Sequence, residues 1–271
     1  YPIIRSFFIS FFDWNLLQEP TFTGIENYKT LFHDEVFRTS LVNTIKWVLI
    51  YVPMSVVSSF LLALLLDRKL KGAGFFRTLY YLPVVCPIVV VALLFVWIYN
   101  TDYGILNFLL KNLFGIEPVG WITDSRFSLF SIAVMSVWKW AGYNMLIFLA
   151  ALQGIDENLY EAAAIDGATK WQQIKHVTLP NLRPMICILL IMNVGKIFNA
   201  DFGLFYSVPL NSGSLFPATQ VIDTYVYRTL TATSNIGMST AAGMMQQLVG
   251  FICIIIANRV VSRIDADSSL F

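Results

Sequence analysis

The sequence predicts an all-α membrane protein, a polytopic helical bundle with about six spans. The first observation behind this prediction is the composition, with 57% hydrophobic and 13% charged residues. A soluble domain carries about 25% charged residues, so lipid must replace water around much of this chain. The second observation is a set of long apolar runs, and the third is one long polar loop between two of them. The formal net charge of +1 gives no indication of binding to nucleic acid.

Each apolar run is long enough to cross a bilayer, which takes about 20 residues. The predicted spans are 41–66, 79–100, 127–151, 185–206 and 239–261. Pro83 and Pro87 predict a kink near one end of the second of these runs, which a membrane helix tolerates. Residues 1–12 are too short to cross and lack the features of a signal peptide, so we expect them to be the outer end of a truncated first span. The sequence shows no internal repeat and predicts one transmembrane domain over residues 1–271.

The basic residues predict which loops face the cytoplasm. Nine Lys and Arg residues lie in the loops on one side and five lie in the loops on the other. The richer side holds Arg68, Lys69, Lys71, Arg77, Lys170, Lys175, Arg183, Arg259 and Arg263, and the poorer side holds Lys29, Arg38, Lys111, Arg126 and Arg228. By the positive-inside rule, loops 67–78 and 152–184 and the C-terminal tail are cytoplasmic. Segments 13–40, 101–126 and 207–238 are then external.

Cysteine and histidine usage predicts neither a metal centre nor a disulfide framework. Cys86, Cys187 and Cys253 all lie inside apolar runs, where a free cysteine behaves as a small hydrophobic residue. His33 and His176 are too few and too far apart to bind a metal ion together. The loops also contain no nucleophile–base pair, so we expect no catalytic residues.

The polar loop 152–184 is predicted to contain two short helices joined at a glycine. Asp156 is a suitable N-cap, and the alanines that follow have a high helix propensity. Gly167 stands where a left-handed residue ends a helix. Residues 169–172 (TKWQ) fit a capping box, and the second helix is expected to stop at the Leu-Pro of 179–180. From these signals alone, the loop could still be a hairpin that merely connects two spans.

The residue spacing in the loop resembles a known signature. A Glu-Ala-Ala triplet is followed at fixed intervals by a glycine, a β-branched hydrophobic residue and a Leu-Pro pair. The residues are Glu161, Ala162, Ala163, Asp166, Gly167, Val177, Leu179 and Pro180. The pattern resembles the EAA motif of permease subunits of binding-protein-dependent ABC importers. Val177 departs slightly from it, because that family usually has isoleucine there.

The resemblance extends over nearly the whole chain. The opening YPIIRSFFISFFDWNL and the following FTGIENYKTLF are similar to the start of sugar-importer permeases. The stretches VIDTYVYR and IIANRVVSRI are similar to the polysaccharide-type branch of that family. The resemblance implies the type I ABC importer permease fold, a multi-pass location in the bacterial plasma membrane, and transport of a carbohydrate, with an oligosaccharide favoured.

The resemblance also implies partners and a mechanism. They are a second homologous permease, two ATP-binding subunits and an extracellular substrate-binding protein. In such importers the EAA helices dock in a groove of the ATPase, where Ala162 and Ala163 allow close approach, Gly167 permits the turn and Glu161 supplies a charge. This chain has no GxxxxGK[ST] sequence, so ATP and Mg²⁺ would be bound by a partner and the chain itself would not be an enzyme.

Polar residues inside the spans are the candidates for contact with the substrate, because polar groups are costly there. They offer aromatic faces for sugar C–H groups, with amides and charges for hydroxyls. The candidates are Lys139, Trp140, Tyr143, Asn144, Asn193, Lys196 and Asn199. Purely structural roles stay open for some of them: asparagines often join membrane helices, and Lys139 could pair with Asp201 or extend toward the interface.

Two questions about larger parts of the chain also stay open. The external segment 207–238 could dock the binding protein, or it could only cap the cavity. The whole chain could instead be an ion-coupled secondary transporter of a small polar solute, with Lys139, Lys196 and Asp201 as a coupling relay. A secondary transporter would leave the EAA spacing unexplained. Uptake driven by ATP rather than by an ion gradient would separate the two classes.

Overall fold

The computed structural model describes residues 2–15, 17–67, 71–195, 201–209 and 212–264. Within these ranges the protein is almost entirely helical, which confirms the predicted fold class. The strands are β1 (Phe12–Asp13) and β2 (Thr21–Phe22), which pair antiparallel with Phe12 opposite Phe22.

The helices follow one another with short connections. The first seven are α1 Pro2–Ile9, α2 Glu26–His33, α3 Glu35–Asp67, α4 Ala73–Val85, α5 Ile88–Ile98, α6 Ile105–Phe114 and α7 Ser125–Gln153. The others are α8 Glu157–Ile165, α9 Lys170–Gln173, α10 Leu179–Gly195, α11 Phe202–Ser207, α12 Phe216–Thr219, α13 Ile222–Thr233 and α14 Ile236–Ile264. A π-helical turn, Ile174–Thr178, connects α9 to α10, and a 3₁₀ turn, Gly213–Leu215, precedes α12.

Four helices in the described residues are long and apolar enough to cross a membrane. They are Glu35–Asp67, Ser125–Gln153, Lys170–Gly195 and Ile236–Arg263. The helix pair α4 and α5 adds a fifth candidate if its two parts count as one broken span. The predicted spans 41–66, 127–151 and 239–261 therefore lie inside observed helices that extend them by a few residues at most ends.

The predicted span 79–100 is not one helix, because the chain breaks at Cys86-Pro87. Proline has no N–H to donate and disfavours the helical conformation in the residue before it. Cys86 accordingly has extended angles (φ −71°, ψ 138°) and ends α4, and Pro87 is the N-cap of α5. Pro83 lies inside α4 without ending it. The sequence thus predicted a kink in the correct place, and the structure has a full break there.

Two other predicted spans differ from the structure. The run 185–206 was expected to be one helix, but its helix begins at Lys170, well before the run, and is described to Gly195. Residues 201–206 belong largely to the separate short helix α11, and residues 196–200 lie outside the described part of the chain. Over residues 1–12, the helix α1 covers only eight residues before the β hairpin begins.

The chain forms two compact units. The first comprises residues 1–50, 87–136 and 195–253. Its buried apolar cluster is Leu31, Phe37, Ile222, Tyr225, Ala241 and Ala242. Gly237 belongs to this unit, and a Cβ there would overlap the carbonyl of Phe12. This backbone-to-backbone approach requires glycine at that position.

The second unit comprises residues 51–86, 137–194 and 254–271. Its main cluster joins α3, α7 and α10 through Ala63, Leu66, Met145, Phe148, Leu149, Leu152, Leu182 and Leu189. Helix α7 is the most enclosed of the candidate spans, with 67% of its most apolar window buried against 22–33% for the others. Polar side chains on α7 therefore face protein more often than lipid.

Candidate functional site

The coupling segment, residues 156–178, has the local structure that its sequence predicts. The carboxylate of Asp156 accepts a hydrogen bond from the backbone N–H of Asn158 (3.0 Å) and caps α8. At the other end of α8, Gly167 is left-handed (φ +78°). The N–H of Ala168 closes the turn on the carbonyl of Ala163 (2.9 Å), which satisfies a helix-end acceptor. The predicted helix boundaries at Asp156 and Gly167 are confirmed.

The predicted capping box at the start of α9 is also present. The N–H of Thr169 donates to Oε1 of Gln172 (2.7 Å), and the N–H of Gln172 donates to the hydroxyl of Thr169 (3.4 Å). Two more bonds tie α8 to the following turns. The hydroxyls of Tyr160 and Thr178 lie 2.9 Å apart, and the buried amide of Gln173 donates to the carbonyl of Tyr160 (3.5 Å). These hydrogen bonds therefore hold the two short helices together as one structural element.

The prediction that the second helix stops at residues 179–180 is wrong. The chain passes through the π-helical turn directly into α10, with no interruption at Pro180. The N–H of Leu179 donates to the carbonyl of Ile174, five residues back. In a π turn each N–H bonds to the carbonyl five residues back and not four. This shift in the hydrogen bonds falls next to Pro180, which has no N–H to donate. The coupling segment is thus continuous with a candidate membrane span.

Most residues of the EAA pattern are at the surface. Glu161, Ala162, Asp166, Gly167 and Pro180 are exposed, and Ala163, Val177 and Leu179 are half-buried. No residue of α8 is buried. A Cβ on Gly167 would meet no atom within 4 Å, so glycine is required there by its backbone angle and not by crowding.

Two exposed apolar residues of the coupling segment were missed by the sequence reasoning. Ile165 is 86% exposed at the end of α8, and Trp171 is 71% exposed at the start of α9. Both flank the glycine turn. The sequence signal for the exposure of Trp171 was its position inside a capping box. A side chain in the first turn of a short surface helix has little protein to pack against. An exposed tryptophan in a polar loop indicates a surface that a partner covers.

Three substrate-path candidates are close together on α7. Lys139 is only 8% exposed, and its Nζ lies 5.2 Å from the centre of the Trp140 ring. Trp140 in turn meets Tyr143 edge-to-face, with ring centres 6.0 Å apart. The group presents a buried cation, an indole and a phenol, which is chemistry suited to a polar ligand with C–H faces.

The asparagine candidates make bonds within the protein. The amide of buried Asn144 donates to the hydroxyl of Ser55 on α3 (3.0 Å), which joins two spans. Asn193 donates to the carbonyl of Leu189 in its own helix (2.7 Å). Lys196 and Asn199 lie outside the described residues. For Asn144, a structural role of the kind that asparagine often has between membrane helices is therefore evident.

Gly142, on α7 beside these candidates, is a further residue that the sequence reasoning missed. A Cβ there would overlap the backbone carbonyl of Tyr80 on α4. The glycine allows the two helix backbones to touch, as small residues often do between membrane helices. A lone glycine in a bulky apolar run was the available signal.

The external segment 207–238, described over residues 207–209 and 212–238, is held by buried hydrogen bonds. The amide of Asn43 on α3 donates to the carbonyls of Pro217 (2.9 Å) and Gln220 (3.0 Å). The N–H of Ile222 donates to the hydroxyl of Thr44 (3.2 Å). The phenol of Tyr225 donates to Asp34 (2.6 Å), and burial together with this bond raises the pKa of Tyr225 well above its usual value.

A pocket lined by both polar and apolar side chains opens on this segment. Its volume is 390 Å³, and its lining includes Asp34, Gln220, Tyr225, Arg228, Thr229 and Asn235. The guanidinium of Arg228 lies 3.7 Å from the centre of the Phe216 ring, and its nitrogens have no hydrogen-bond partner among the described residues. Burial lowers the pKa of Arg228. The guanidinium is therefore a buried cation against an aromatic ring and is not exposed in the pocket.

Apolar helices long enough to span a bilayer, together with an exposed helix pair, define a class of protein, a polytopic membrane protein with an apolar surface element suited to docking a partner. Residues 55–266 match the family described as the binding-protein-dependent transport system inner membrane component, and the chain belongs to that family. It is therefore a permease component of an ABC transporter and a multi-pass protein of the bacterial plasma membrane.

Named relatives agree with this membership. The probable ABC transporter permease protein YurN of Bacillus subtilis (strain 168) is 34% identical over 89% of this chain and 82% of its own length. LacF of Rhizobium radiobacter, a lactose transport system permease protein, is 35% identical over 84% of this chain and 76% of its own length. A chain of a bacterial alginate ABC transporter, solved in complex with an alginate pentasaccharide-bound periplasmic protein, matches with a TM-score of 0.82 and 30% identity over 89% of this chain and 83% of that chain.

Proposed function

We propose that this chain lines the translocation path for an oligosaccharide that an extracellular binding protein delivers, and that separate ATPase subunits drive the transport through the coupling segment. The observation that carries the proposal is the exposure of Ile165 and Trp171 on a braced helix pair that continues directly into a candidate span. A movement of a docked partner would then reach the membrane through α10.

The coupling segment has the properties of one half of an interface. Burying a large apolar side chain gains about 1.5–3 kcal/mol, so Ile165 and Trp171 favour a covered state. Tryptophan is also among the residues that most often dominate binding energy. The exposed Glu161 and Asp166 flank these residues with negative charge, which suits a partner surface with basic or amide groups.

The choice of a carbohydrate rests on the relatives and on the chemistry of α7. LacF and the alginate transporter carry or bind carbohydrates according to their descriptions. The group of Lys139, Trp140 and Tyr143 offers aromatic faces with a cation beside them. We propose these three residues as part of the path, with Asn144 holding α7 to α3 and not contacting the cargo.

The other subunits follow from the same proposal. A second homologous permease would complete the path, and two ATP-binding subunits would hold ATP and Mg²⁺, because this chain has no phosphate-binding loop sequence. The binding protein would dock on the external segment. That segment suits docking because buried hydrogen bonds hold its backbone while a pocket of 390 Å³ remains open on it.

Import measured in proteoliposomes tests the class of transporter. The complete importer should accumulate a labelled oligosaccharide only when ATP is inside the vesicles and loaded binding protein is outside. A proton or sodium gradient without ATP should give no accumulation. Accumulation driven by an ion gradient alone would reject the proposal in favour of a secondary transporter.

A matched pair of lysines tests the path. Lys139 is buried on α7, whereas Lys46 on α3 is exposed. Lys139→Met should impair import of the oligosaccharide and leave ATP hydrolysis measurable, and Lys46→Met should leave import near the unmodified value. Equal effects of the two changes would remove Lys139 from the proposed path.

A further inference from the structure

Helix α6 has an apolar face that the described protein does not cover. Its residues Ile105, Phe108, Leu109 and Leu113 are between 45% and 69% exposed. At about 100° per residue these four cover roughly 140° of the helix circumference, the width of an apolar stripe on an amphipathic helix. Asn107 is buried on the opposite side, and Leu106 and Leu110 are half-buried between the stripe and Asn107. Phe114 in the last turn is exposed outside the stripe.

The side chain of Asn107 fixes the rotation of α6. Asn107 is 4% exposed, and its amide donates to the carbonyls of Asn100 (3.4 Å), Thr101 (3.2 Å) and Val119 (2.9 Å). Its oxygen accepts from the N–H of Val119 (3.1 Å) and from the indole of Trp121 (2.9 Å). With this face of the helix bound to the protein, the apolar face must point away from it.

The same bonds fix the position of α6 relative to the apolar helices that precede and follow it in the chain. Asn100 and Thr101 come just after the apolar helix α5, and Trp121 comes four residues before the candidate span α7. Helix α6 is therefore held close to the end of α5 and to the beginning of α7. The tight turn before it needs Gly104, where a Cβ would overlap the carbonyl of Asn100.

The residues around α6 have the composition of a membrane interface. Trp97 in the last turn of α5 and Tyr103 just before α6 are both exposed, and such aromatic residues concentrate at the boundary between lipid and water. Lys111 is exposed about 60° outside the apolar stripe, where its charge can reach water. Asn112, which lies inside the stripe, turns its amide back to the carbonyl of Phe108 (2.9 Å).

We infer that α6 is an interfacial helix that lies on the lipid headgroups and inserts its apolar face into the bilayer. Such helices bury this face roughly 5–10 Å into the headgroup and acyl boundary. The basic-residue count assigns α6 to the external leaflet. The helix thereby anchors the connection between α5 and α7 to the membrane surface. The competing arrangement is a partner protein that covers this face. In the first arrangement lipid contacts the apolar side chains of α6, and in the second only protein contacts them.

Spin labels on α6 test this inference in the complete importer in phospholipid vesicles. The native cysteines Cys86, Cys187 and Cys253 are replaced by alanine, and single cysteines are placed at Phe108, Leu109 and Lys111. Collision rates are measured with oxygen, which dissolves in the lipid interior, and with a water-soluble nickel chelate. The ratio of oxygen to nickel collisions should be several-fold higher at 108 and 109 than at 111.

Two results would overturn the inference. Low collision rates with both reagents at 108 and 109 mean that protein covers the face. Nickel rates at these positions as high as at 111 mean that the face lies in water. A second variant tests the role of Asn107 as a positioning residue. In Asn107→Leu the difference between positions 108 and 111 should shrink, and an unchanged difference would remove Asn107 from that role.

Discussion

The external segment and the coupling segment are both polar interruptions of an apolar chain, but they are stabilised in opposite ways. The external segment is held to a spanning helix by bonds far apart in sequence, such as that from Asn43 to Gln220. The coupling segment is stabilised by bonds between near neighbours, such as the capping box at Thr169 and Gln172. The first leaves a pocket open, and the second leaves Ile165 and Trp171 exposed.

This difference indicates how strongly each segment depends on the rest of the chain for its stability. Buried side chains of α3 bond the backbone of the external segment at Pro217, Gln220 and Ile222, so its stability should depend on single buried residues. The coupling segment keeps its helices through local caps, so surface changes there should affect binding and not folding.

The largest effect is expected from Gly237→Ala in the first unit. The added Cβ would overlap the Phe12 carbonyl, and a backbone atom cannot move aside cheaply. We expect the variant to lose most of its folded, assembled importer, as measured by size-exclusion chromatography in detergent. Gly243→Ala on the same helix is the control, because a Cβ there meets nothing within 4 Å. Equal yields of the two variants would contradict the account.

A smaller effect is expected from Asn43→Leu. The change leaves the carbonyls of Pro217 and Gln220 without their donor in a buried site, which costs about 2–4 kcal/mol. The melting temperature of the purified complex should fall clearly. Asn181→Ala is the control, since Asn181 also donates to a carbonyl but on an exposed surface. If Asn181→Ala lowers the melting temperature as much as Asn43→Leu does, burial of the hydrogen bonds is not the cause.

The next effect concerns binding and not folding. Trp171→Ala should weaken the ATPase subunit's binding by about 2 kcal/mol, or roughly thirtyfold, and leave the melting temperature of the isolated chain unchanged. Pull-down of purified ATPase subunit at graded concentrations measures the change. Leu17→Ser, which alters a residue 92% exposed elsewhere, should have no effect on binding. A fall in melting temperature for Trp171→Ala would instead indicate a structural role.

The smallest effect is expected from Tyr225→Phe, which removes one bond to Asp34 and should cost about 1 kcal/mol. Its pH dependence has a defined sign. Because the folded protein raises the pKa of Tyr225, the contribution is fully present below about pH 10, the ordinary phenol pKa, and is lost as pH rises above it. Melting curves of both proteins from pH 7 to pH 11 should converge at the alkaline end. A constant difference between them would contradict this origin.

What the sequence predicted correctly was mostly local. The Asp156 cap, the left-handed Gly167 and the capping box depend on residues within a few positions of one another, so their pattern is sufficient. The run lengths also located three of the five predicted spans, 41–66, 127–151 and 239–261, since bilayer thickness sets a length that can be counted.

What the sequence could not predict depends on contacts distant along the chain. The bonds of Asn43 join residues more than 170 positions apart, and the need for glycine at 142 and 237 depends on which backbone lies opposite. Pro180 shows a different limit. A proline normally ends a helix, but a π turn before it removed the conflict, and nothing in the local residue types distinguishes the two outcomes.

The central claim is that the coupling segment transmits the ATPase cycle to the spans. The most direct test is a double variant, Gly167→Val with Glu161→Ala, assembled with its partners in proteoliposomes. Valine in a left-handed conformation costs about 1–2 kcal/mol locally and distorts the turn, whereas Gly74→Val lies where no such angle is required and is the control. We expect the double variant to hydrolyse ATP without importing oligosaccharide. Import at the unmodified rate would contradict the docking role of residues 156–178.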